Sequence, residues 1–461
     1  MPDSFDVVVI GSGPGGYSAA IRCAQRGASV AVVEKGHMGG TCLNCGCIPS
    51  KTLLASAHTL LMAKHAANMG IDIPSAAPNW KKIQARKEAV VSGFRKGLTG
   101  LIQANKIKVL PGRGVMTKPG AISIEGDGGT SEIQAQKVIL ATGSQPIEIP
   151  SMPFDGETII SSTEALSLPA IPKSMVIVGG GVIGCEMACV YAAMGTKVTI
   201  VEALDRLIPM EDDWVGRLMQ REFRKLRINS LTGEKVTGVD KSASPATVSL
   251  ETGKTLEVEK VLVSVGRRAV VDRETVDGLN LDMNGPAIVV DDTLQTSAAG
   301  VYAIGDAIAT TYLAHGAFAE AEVAAVNATG GDEKAEDSSL VPKAVYTFPE
   351  VASVGKSEEA CLQAGMDVSV GKAYFRANGR SAAHNETAGE IRAVRDNATD
   401  RIVGVTMVGA TVTELAGAAR LLIGSTEAIA SVSFPHPTVS EVLKAAAEDA
   451  YGLSLHNPPR Q

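Results

Sequence analysis

The 461-residue sequence has no excess of basic charge: 43 Lys and Arg face 50 Asp and Glu, for a net charge of −7. A general nucleic-acid or acidic-membrane binder needs basic surface, so neither class fits. No apolar run approaches the ~18 residues of a membrane span. Met1 lies only a few residues before the first apolar strand, which leaves no room for a signal or transit peptide, and the expected location is cytoplasmic. Aromatic residues are scarce at 4%, yet 45% of residues are hydrophobic and 20% charged, an ordinary globular composition. The seven histidines are scattered and no second Cys-x-x-Cys follows the cluster at Cys42, Cys45 and Cys47, so zinc finds no further soft ligands at short spacing and no metal site is expected. Seven cysteines in this length do not make a disulfide framework either; in a reducing compartment their clustering points to metal binding or redox catalysis.

At this length the chain should hold three or four domains. Phe5 to Ile10 is an apolar run leading into Gly11-Ser-Gly-Pro-Gly-Gly16 and then a helix-like stretch; a second run, Val30 to Val33, ends at Glu34. Strand, glycine turn, helix and acid-ended strand are the parts of a dinucleotide-binding fold. Gly11 allows the tight turn, Gly13 lets backbone amides approach a pyrophosphate, Gly16 lets helix and sheet pack closely, and Glu34 accepts from a ribose hydroxyl. The pattern recurs at Met175 to Gly184, with Gly179, Gly181 and Gly184 and a strand ending at Glu202; from first glycine to acid is 23 residues in both copies. Each copy is later closed by a passage that reads as a β-hairpin returning to the parent sheet, ending at Gly143 in one and Gly266 in the other. Two such copies imply two dinucleotides. A carboxylate bonds a free ribose hydroxyl but repels a 2′-phosphate, so Glu202 favours NAD over NADP, although Arg206 follows four residues on.

The stretch Gly39-Gly-Thr-Cys-Leu-Asn-Cys-Gly-Cys-Ile-Pro-Ser-Lys51 lies just beyond the first copy. Its cysteines taken alone fit a structural disulfide, half a metal site, buried filler or a redox pair. Residues five apart in a regular helix have Cα atoms about 8.6 Å apart, beyond the ~7 Å reach of a disulfide. Pairing Cys42 with Cys47 therefore requires an irregular backbone, which Gly46 permits; Cys42 with Cys45 is the rival pair. Gly305-Asp306 ends a strand, where a carboxylate can bond a polyol such as the ribitol of FAD or simply make a surface turn. From about Val345 the pattern changes to short strands and helices with no glycine fingerprint, an α+β region that ends with His436-Pro-Thr-Val-Ser-Glu441 and a helix. Leu455 to Gln461 reads as a loose tail. Cys23, Cys185, Cys189 and Cys361 read as buried filler, and His315 and His384 as structural.

Taken together, the Gly-Gly-Thr-Cys-x4-Cys-Ile-Pro-Ser-Lys stretch, the paired fingerprints, Ala141-Thr142-Gly143, Gly305-Asp306 and His-Pro-Thr-x-Ser-Glu resemble the pyridine-nucleotide disulfide oxidoreductases, and most closely their dihydrolipoamide dehydrogenase branch. The resemblance runs from Phe5 to about Gly452. It implies an α/β fold with two Rossmann-like domains of three-layer ββα type and an α+β C-terminal dimerisation domain. The implied boundaries are 1–147 for FAD, 148–275 for NAD, 276–344 for a central domain completing the FAD site, and 345–461 for the interface. It places FAD on Gly11, Gly13, Gly16, Glu34, Lys51, Gly114, Thr142, Gly143, Asp306 and Ala314, and NAD on Gly179, Gly181, Gly184, Glu202, Val236 and Gly266. It makes Cys42 the exchanging thiol, Cys47 the thiol against the flavin, and His436 the acid/base oriented by Glu441, both of these reaching in from the other subunit of a homodimer with shared active sites. Lys51, one helical turn beyond Cys47, pairs with Glu186 beside the flavin; the plainer alternative is a solvated lysine and a first-turn helix acid. The implied activity oxidises dihydrolipoyl groups with NAD, for the lipoyl-bearing acyltransferase of a 2-oxo acid dehydrogenase complex. No lipoyl domain precedes Phe5, so the substrate arm is expected from another chain. Alternatives are a glutathione, coenzyme A disulfide or mercuric reductase, of which Glu202 disfavours the first and the lack of a C-terminal cysteine pair the last, or a complex-assembly component. Cys45, Gly316 and Ala269 depart from the family's usual residues.

Overall fold

A computed structural model describes residues 3–455, so all of the C-terminal tail after Leu455 lies outside the described residues. The chain divides into two compact units. One comprises the N-terminal stretch through Thr52 with Gln84–Ile147 and Gly266–Ser338; the other comprises Leu53–Ile83, Glu148–Val265 and the chain from Ser339 onward.

In the first unit, Asp3–Ile10 lies between Val30–Glu34 and Gly129–Leu140, parallel to both, with Val7 opposite Val30 on one side and Lys137 on the other. Lys108–Pro111 extends the sheet beyond Val30–Glu34, and Val301–Ala303 pairs in parallel with Gly129–Leu140. Alternation along the central strand decides which layer each side chain meets. Val7 and Val9 pack with Ala19, Ala20 and Cys23 of helix Pro14–Gln25 and Ala321, Ala324 and Ala325 of helix Ala314–Ala328. Val8 and Ile10 face the opposite way, onto Met116, Ile122, Ile124 and Ile133. Burial on both faces explains why these strands are uninterrupted apolar runs. The far layer is a three-stranded antiparallel meander, Arg113–Lys118, Ala121–Gly126 and the start of Gly129–Leu140.

The second unit repeats this plan. Its parallel sheet runs in the order Asn229–Thr232, Lys197–Glu202, Ser174–Val178, Lys260–Val263, Ile159–Ile160. Met175 and Ile177 face helix Val182–Met194, whereas Val176 and Val178 face Val248, Leu250 and Val258. The meander here is Val236–Asp240, Ala246–Leu250 and Thr255–Val258. In both copies the closing passage is therefore a meander rather than a bare hairpin, with a first strand whose polar and glycine content hid it in the sequence. The return strand also differs: it is one element of 12 residues in the first copy but two in the second, interrupted at Glu259.

The same unit holds a five-stranded antiparallel sheet, ordered Lys343–Val345, Glu350–Gly355, Arg401–Gly409, Glu390–Asp396, Val368–Tyr374. Val412 and Ala416 of helix Val412–Leu422, and Val442, Leu443 and Ala446 of helix Ser440–Ala450, pack in its core. Two three-layer ββα copies and an α+β region make up the α/β fold expected from the sequence.

Candidate functional site

Helix Gly40–Cys45 ends at Gly46, and helix Cys47–Lys64 starts at once on the other side. Gly46 has φ −144° and ψ −113°, outside both helical and extended regions. A Cβ there would stand 2.9 Å from the Thr41 carbonyl oxygen and 3.2 Å from the Cys42 Cα, so the break needs glycine. The break brings the Cys42 and Cys47 side chains into hydrogen-bond contact, and that bond, with burial, holds the Cys42 thiol well above its ordinary value against the pull of the Lys51 charge. All seven cysteines are thiols; Cys42, Cys45 and Cys47 are half-buried, and the other four are buried as expected of filler. Cys45 sits one turn beyond Cys42 at the end of the short helix.

Several neighbours escaped sequence reading. Asn44 donates to the carbonyls of Gly40 at 2.8 Å and Met38 at 3.1 Å, and Arg95 donates to Asn44 Oδ1 at 3.0 and 2.7 Å. Asn44 thereby ties the cysteine helix to helix Trp80–Ala104. Tyr17, on the fingerprint helix, rests against Phe318 with ring centroids 6.0 Å apart. Its phenol is raised by burial and then by the charges of Cys42 and Cys47, which places it beside the dithiol. No local signal in the sequence marks any of these contacts.

The first fingerprint has the features of a nucleotide cradle. Gly11 has φ +99°, and a Cβ on Gly16 would stand 1.9 Å from the Gly11 carbonyl oxygen, the close helix-to-strand packing expected. Gly13 caps helix Pro14–Gln25, with open space where its Cβ would be. Glu34 Oε2 accepts from Ser12 N–H at 2.8 Å and from its hydroxyl at 2.6 Å, while Oε1 accepts from Gly36 N–H at 2.7 Å. Thr142 Oγ1 is buried with no hydrogen-bond partner among the described residues. Such an orphan is costly unless a ligand completes it. Asp306 accepts from the Ser144 hydroxyl, and Arg267 donates to Ser144 Oγ and O, each at 2.8 Å. Behind this turn Glu320 accepts from Gly305 N–H at 2.6 Å, and burial lifts its carboxyl to about 7. Gly143 follows Thr142 with φ +77°, Gly114 pairs with Ile124 in the meander, and Ala314 opens helix Ala314–Ala328. Backbone amides at a helix N-terminus, an acid for a ribose, an orphan hydroxyl and a turn carboxylate fit FAD.

The second fingerprint matches it. Gly179 has φ +107°, Gly181 caps helix Val182–Met194, and a Cβ on Gly184 would stand 2.1 Å from the Gly179 carbonyl oxygen. Glu202 Oε2 accepts from Gly180 N–H at 2.6 Å and Oε1 from Leu204 N–H at 2.8 Å. Arg206 Nη1 lies 3.1 Å from both carboxylate oxygens of Glu359, so its charge is already matched. This donor set fits NAD. Val236 begins the meander, whereas Gly266 falls with the first unit, where its carbonyl accepts from Ile147 N–H at 3.1 Å. Glu186 is buried and accepts from Tyr346 N–H at 3.0 Å.

His436 and Glu441 lie in the second unit. His436 Nδ1 is 2.9 Å from Glu441 Oε1, and Thr438 N–H donates to Oε2 at 2.8 Å. A carboxylate only accepts, so Nδ1 carries the proton and Nε2 is left to act as a base. The imidazole is 79% exposed. Thr438 is held in turn by Asn378, which donates to its carbonyl at 2.9 Å. Among the described residues no helix is long and apolar enough to cross a membrane.

Comparison with known proteins finds relatives along most of the chain. Residues 5–324 match the profile of the pyridine nucleotide-disulphide oxidoreductases, and residues 341–447 that of the family's dimerisation domain, which supports a homodimer. A dihydrolipoyl dehydrogenase of Bacillus subtilis is 40% identical over 98% of this chain and 99% of its own length. Dihydrolipoyl dehydrogenase 1, mitochondrial, of Arabidopsis thaliana is also 40% identical, over 98% of this chain and 92% of its own. Among solved structures, LpdA of Mycobacterium tuberculosis superposes with a TM-score of 0.90 at 25% identity, covering 97% of this chain and 99% of that one. The HOCl-induced flavoprotein disulfide reductase RclA of Escherichia coli, in a Cu(II) complex, gives 0.87 at 26% identity, over 97% and 99%. FAD and NAD are the cofactors of this family, and the two fingerprints suit them. With these matches along its length, the chain belongs to the pyridine nucleotide-disulphide oxidoreductase family.

Proposed function

We propose that the chain is an FAD-containing, NAD-linked dihydrolipoyl dehydrogenase. The observation that carries this reading is the Cys42–Cys47 contact across Gly46, in a chain that aligns over 98% of its length with proteins of that name. A dihydrolipoyl thiolate attacks Cys42 Sγ of the oxidised pair; a mixed disulfide forms and Cys47 leaves as thiolate. The second lipoyl sulfur then displaces Cys42, so the lipoyl group leaves as a disulfide and the enzyme holds two more electrons. Of the two protons the lipoyl dithiol loses, one ends on Cys42 and His436 Nε2 takes the other, with Glu441 stabilising the resulting cation. The raised Cys42 thiol suits this scheme, because the reduced pair then carries its single negative charge on Cys47. Lys51 favours that thiolate electrostatically. FAD, when bound, supplies the two-electron relay from the dithiol to NAD.

In this reading 1–147 binds FAD, 148–275 binds NAD, 276–344 completes the FAD site and 345–461 forms the interface. His436 and Glu441 serve the dithiol of the other subunit, as the exposure of the His436 imidazole on a single chain suggests. The natural substrate is then a lipoyl group on the acyltransferase of a 2-oxo acid dehydrogenase complex, in the cytoplasm. Steady-state NAD reduction by dihydrolipoamide tests the assignment, with glutathione and coenzyme A disulfides as competitors; turnover of those without dihydrolipoamide would move the protein to another branch. Mixed dimers of a Cys42→Ser chain and a His436→Gln chain regain activity if sites are shared, and stay inactive otherwise.

A further inference from the structure

The chain beyond Glu202 doubles back over the second fingerprint. Leu204 N–H binds Glu202 Oε1 at 2.8 Å, and Ile208 N–H binds the Gly180 carbonyl at 2.8 Å. The Leu207 side chain lies 2.7 Å from where a Cβ on Gly180 would stand. Arg206, the first cation after Glu202, is therefore tethered beside the glycine turn and the acid that face a bound ribose. An arginine at this place is what a 2′-phosphate would recruit, through paired N–H bonds to its oxygens.

Its guanidinium is committed elsewhere. Nη1 lies 3.1 Å from both oxygens of Glu359, and Nε is 3.8 Å from Asp205 Oδ1. Glu359 is itself fixed: Oε1 accepts from Asp213 N–H at 2.6 Å, and its own N–H donates to Asp212 Oδ1 at 3.4 Å. Ser357 caps the short helix Glu358–Gln363 that carries it, accepting from Ala360 N–H at 3.2 Å. The side chains are only 24% and 35% exposed, so water screens the pair incompletely.

We propose that Glu359, from the C-terminal α+β region, is a positioning residue for coenzyme choice: it holds Arg206 and cancels its charge, so that the NAD site offers a 2′-phosphate no cation. Discrimination then has two layers. Glu202 repels the phosphate directly, and Glu359 removes the attraction that Arg206 would otherwise supply. The inference rests on the NAD-site reading and goes beyond it, because it assigns part of the specificity to a residue 157 positions from Glu202.

Calorimetric binding of ADP-ribose and of 2′,5′-ADP to the flavin-loaded protein tests it without recourse to turnover. Glu359→Gln keeps the shape and removes the charge. The expected result is 2′,5′-ADP binding about five- to tenfold tighter than in the parent, with ADP-ribose within about twofold. Adding Arg206→Gln returns the ratio to its starting value. An unchanged ratio in Glu359→Gln, or a gain that survives Arg206→Gln, overturns the clasp while leaving the NAD site intact. Failure of the parent protein to bind ADP-ribose overturns the site and the clasp together.

Discussion

Glu34 and Glu202 hold their fingerprints with the same pair of bonds. One oxygen takes the N–H of the residue after the first glycine, Ser12 at 2.8 Å or Gly180 at 2.6 Å. The other takes the N–H two residues past the acid, Gly36 at 2.7 Å or Leu204 at 2.8 Å. Beyond the acid the two copies diverge. In the first copy the chain proceeds to the Gly39–Lys51 stretch with its hydrogen-bonded thiols; in the second it folds back and pins Arg206 to Glu359. The copies also differ where their closing strands end, with Thr142 in one and Val265 in the other. In the proposed reading the repeated part is scaffold, and the segment after the acid gives one copy its redox chemistry and the other its coenzyme choice.

The largest expected effect separates those two duties. Cys47→Ser should lower dihydrolipoamide turnover by at least about 10³-fold, since exchange needs both sulfurs, while ADP-ribose binding by the second copy stays unchanged. Loss of both in a folded protein would break the division.

Next come the paired close approaches. In Gly16→Ala and Gly184→Ala the new methyl would stand 1.9 and 2.1 Å from a carbonyl oxygen, so each helix must move off its strand. Gly16→Ala should lose FAD, and Gly184→Ala should keep flavin absorbance but lose ADP-ribose affinity. Flavin content and calorimetry read the two outcomes, and a variant that loses both ligands would show that the copies are not independent.

A pH test addresses the first copy. The Glu320 carboxyl lies at about 7 when folded, against 4.5 for an ordinary glutamate. The folded state therefore binds more protons between those values, and the stability contribution present below pH 4.5 is lost as pH rises through 7. The difference is about 3 kcal/mol. Denaturant midpoints at pH 5 and pH 8 should diverge in the parent and converge in Glu320→Gln; equal divergence in both proteins would exonerate Glu320.

The smallest effect comes from making the first copy like the second. Thr142→Val removes a buried hydroxyl that has no partner among the described residues, so the apoprotein should gain about 1 kcal/mol in unfolding free energy while FAD binds about fivefold more weakly. Unchanged FAD affinity would remove Thr142 from the FAD site.

Both fingerprints, their spacing and the α+β change near Val345 were legible in the sequence because each is a local pattern. Once the family resemblance pairs Cys42 with Cys47, helix geometry calls for a break between them, and Gly46 supplies it. The ties that fix the site were not legible. Arg95 reaches Asn44 across 51 residues, Ser144 reaches Asp306 across 162, and Arg206 reaches Glu359 across 153. Such contacts obey no periodicity and arise only once sheets and helices have stacked. The interruption at Glu259 is likewise a matter of pairing: the partner changes there from Ala246–Leu250 to Ser174–Val178.

The twin carboxylate bonds have a consequence for how ligands are captured. Both turns are braced by bonds within the protein, so part of the loss of loop freedom is met by folding and not by association. At the second turn this allows a coenzyme that must leave after every cycle to do so quickly while the turn keeps its shape. At the first, a cofactor meant to stay must draw its long residence from other contacts, among which the proposed reading counts the Thr142 hydroxyl.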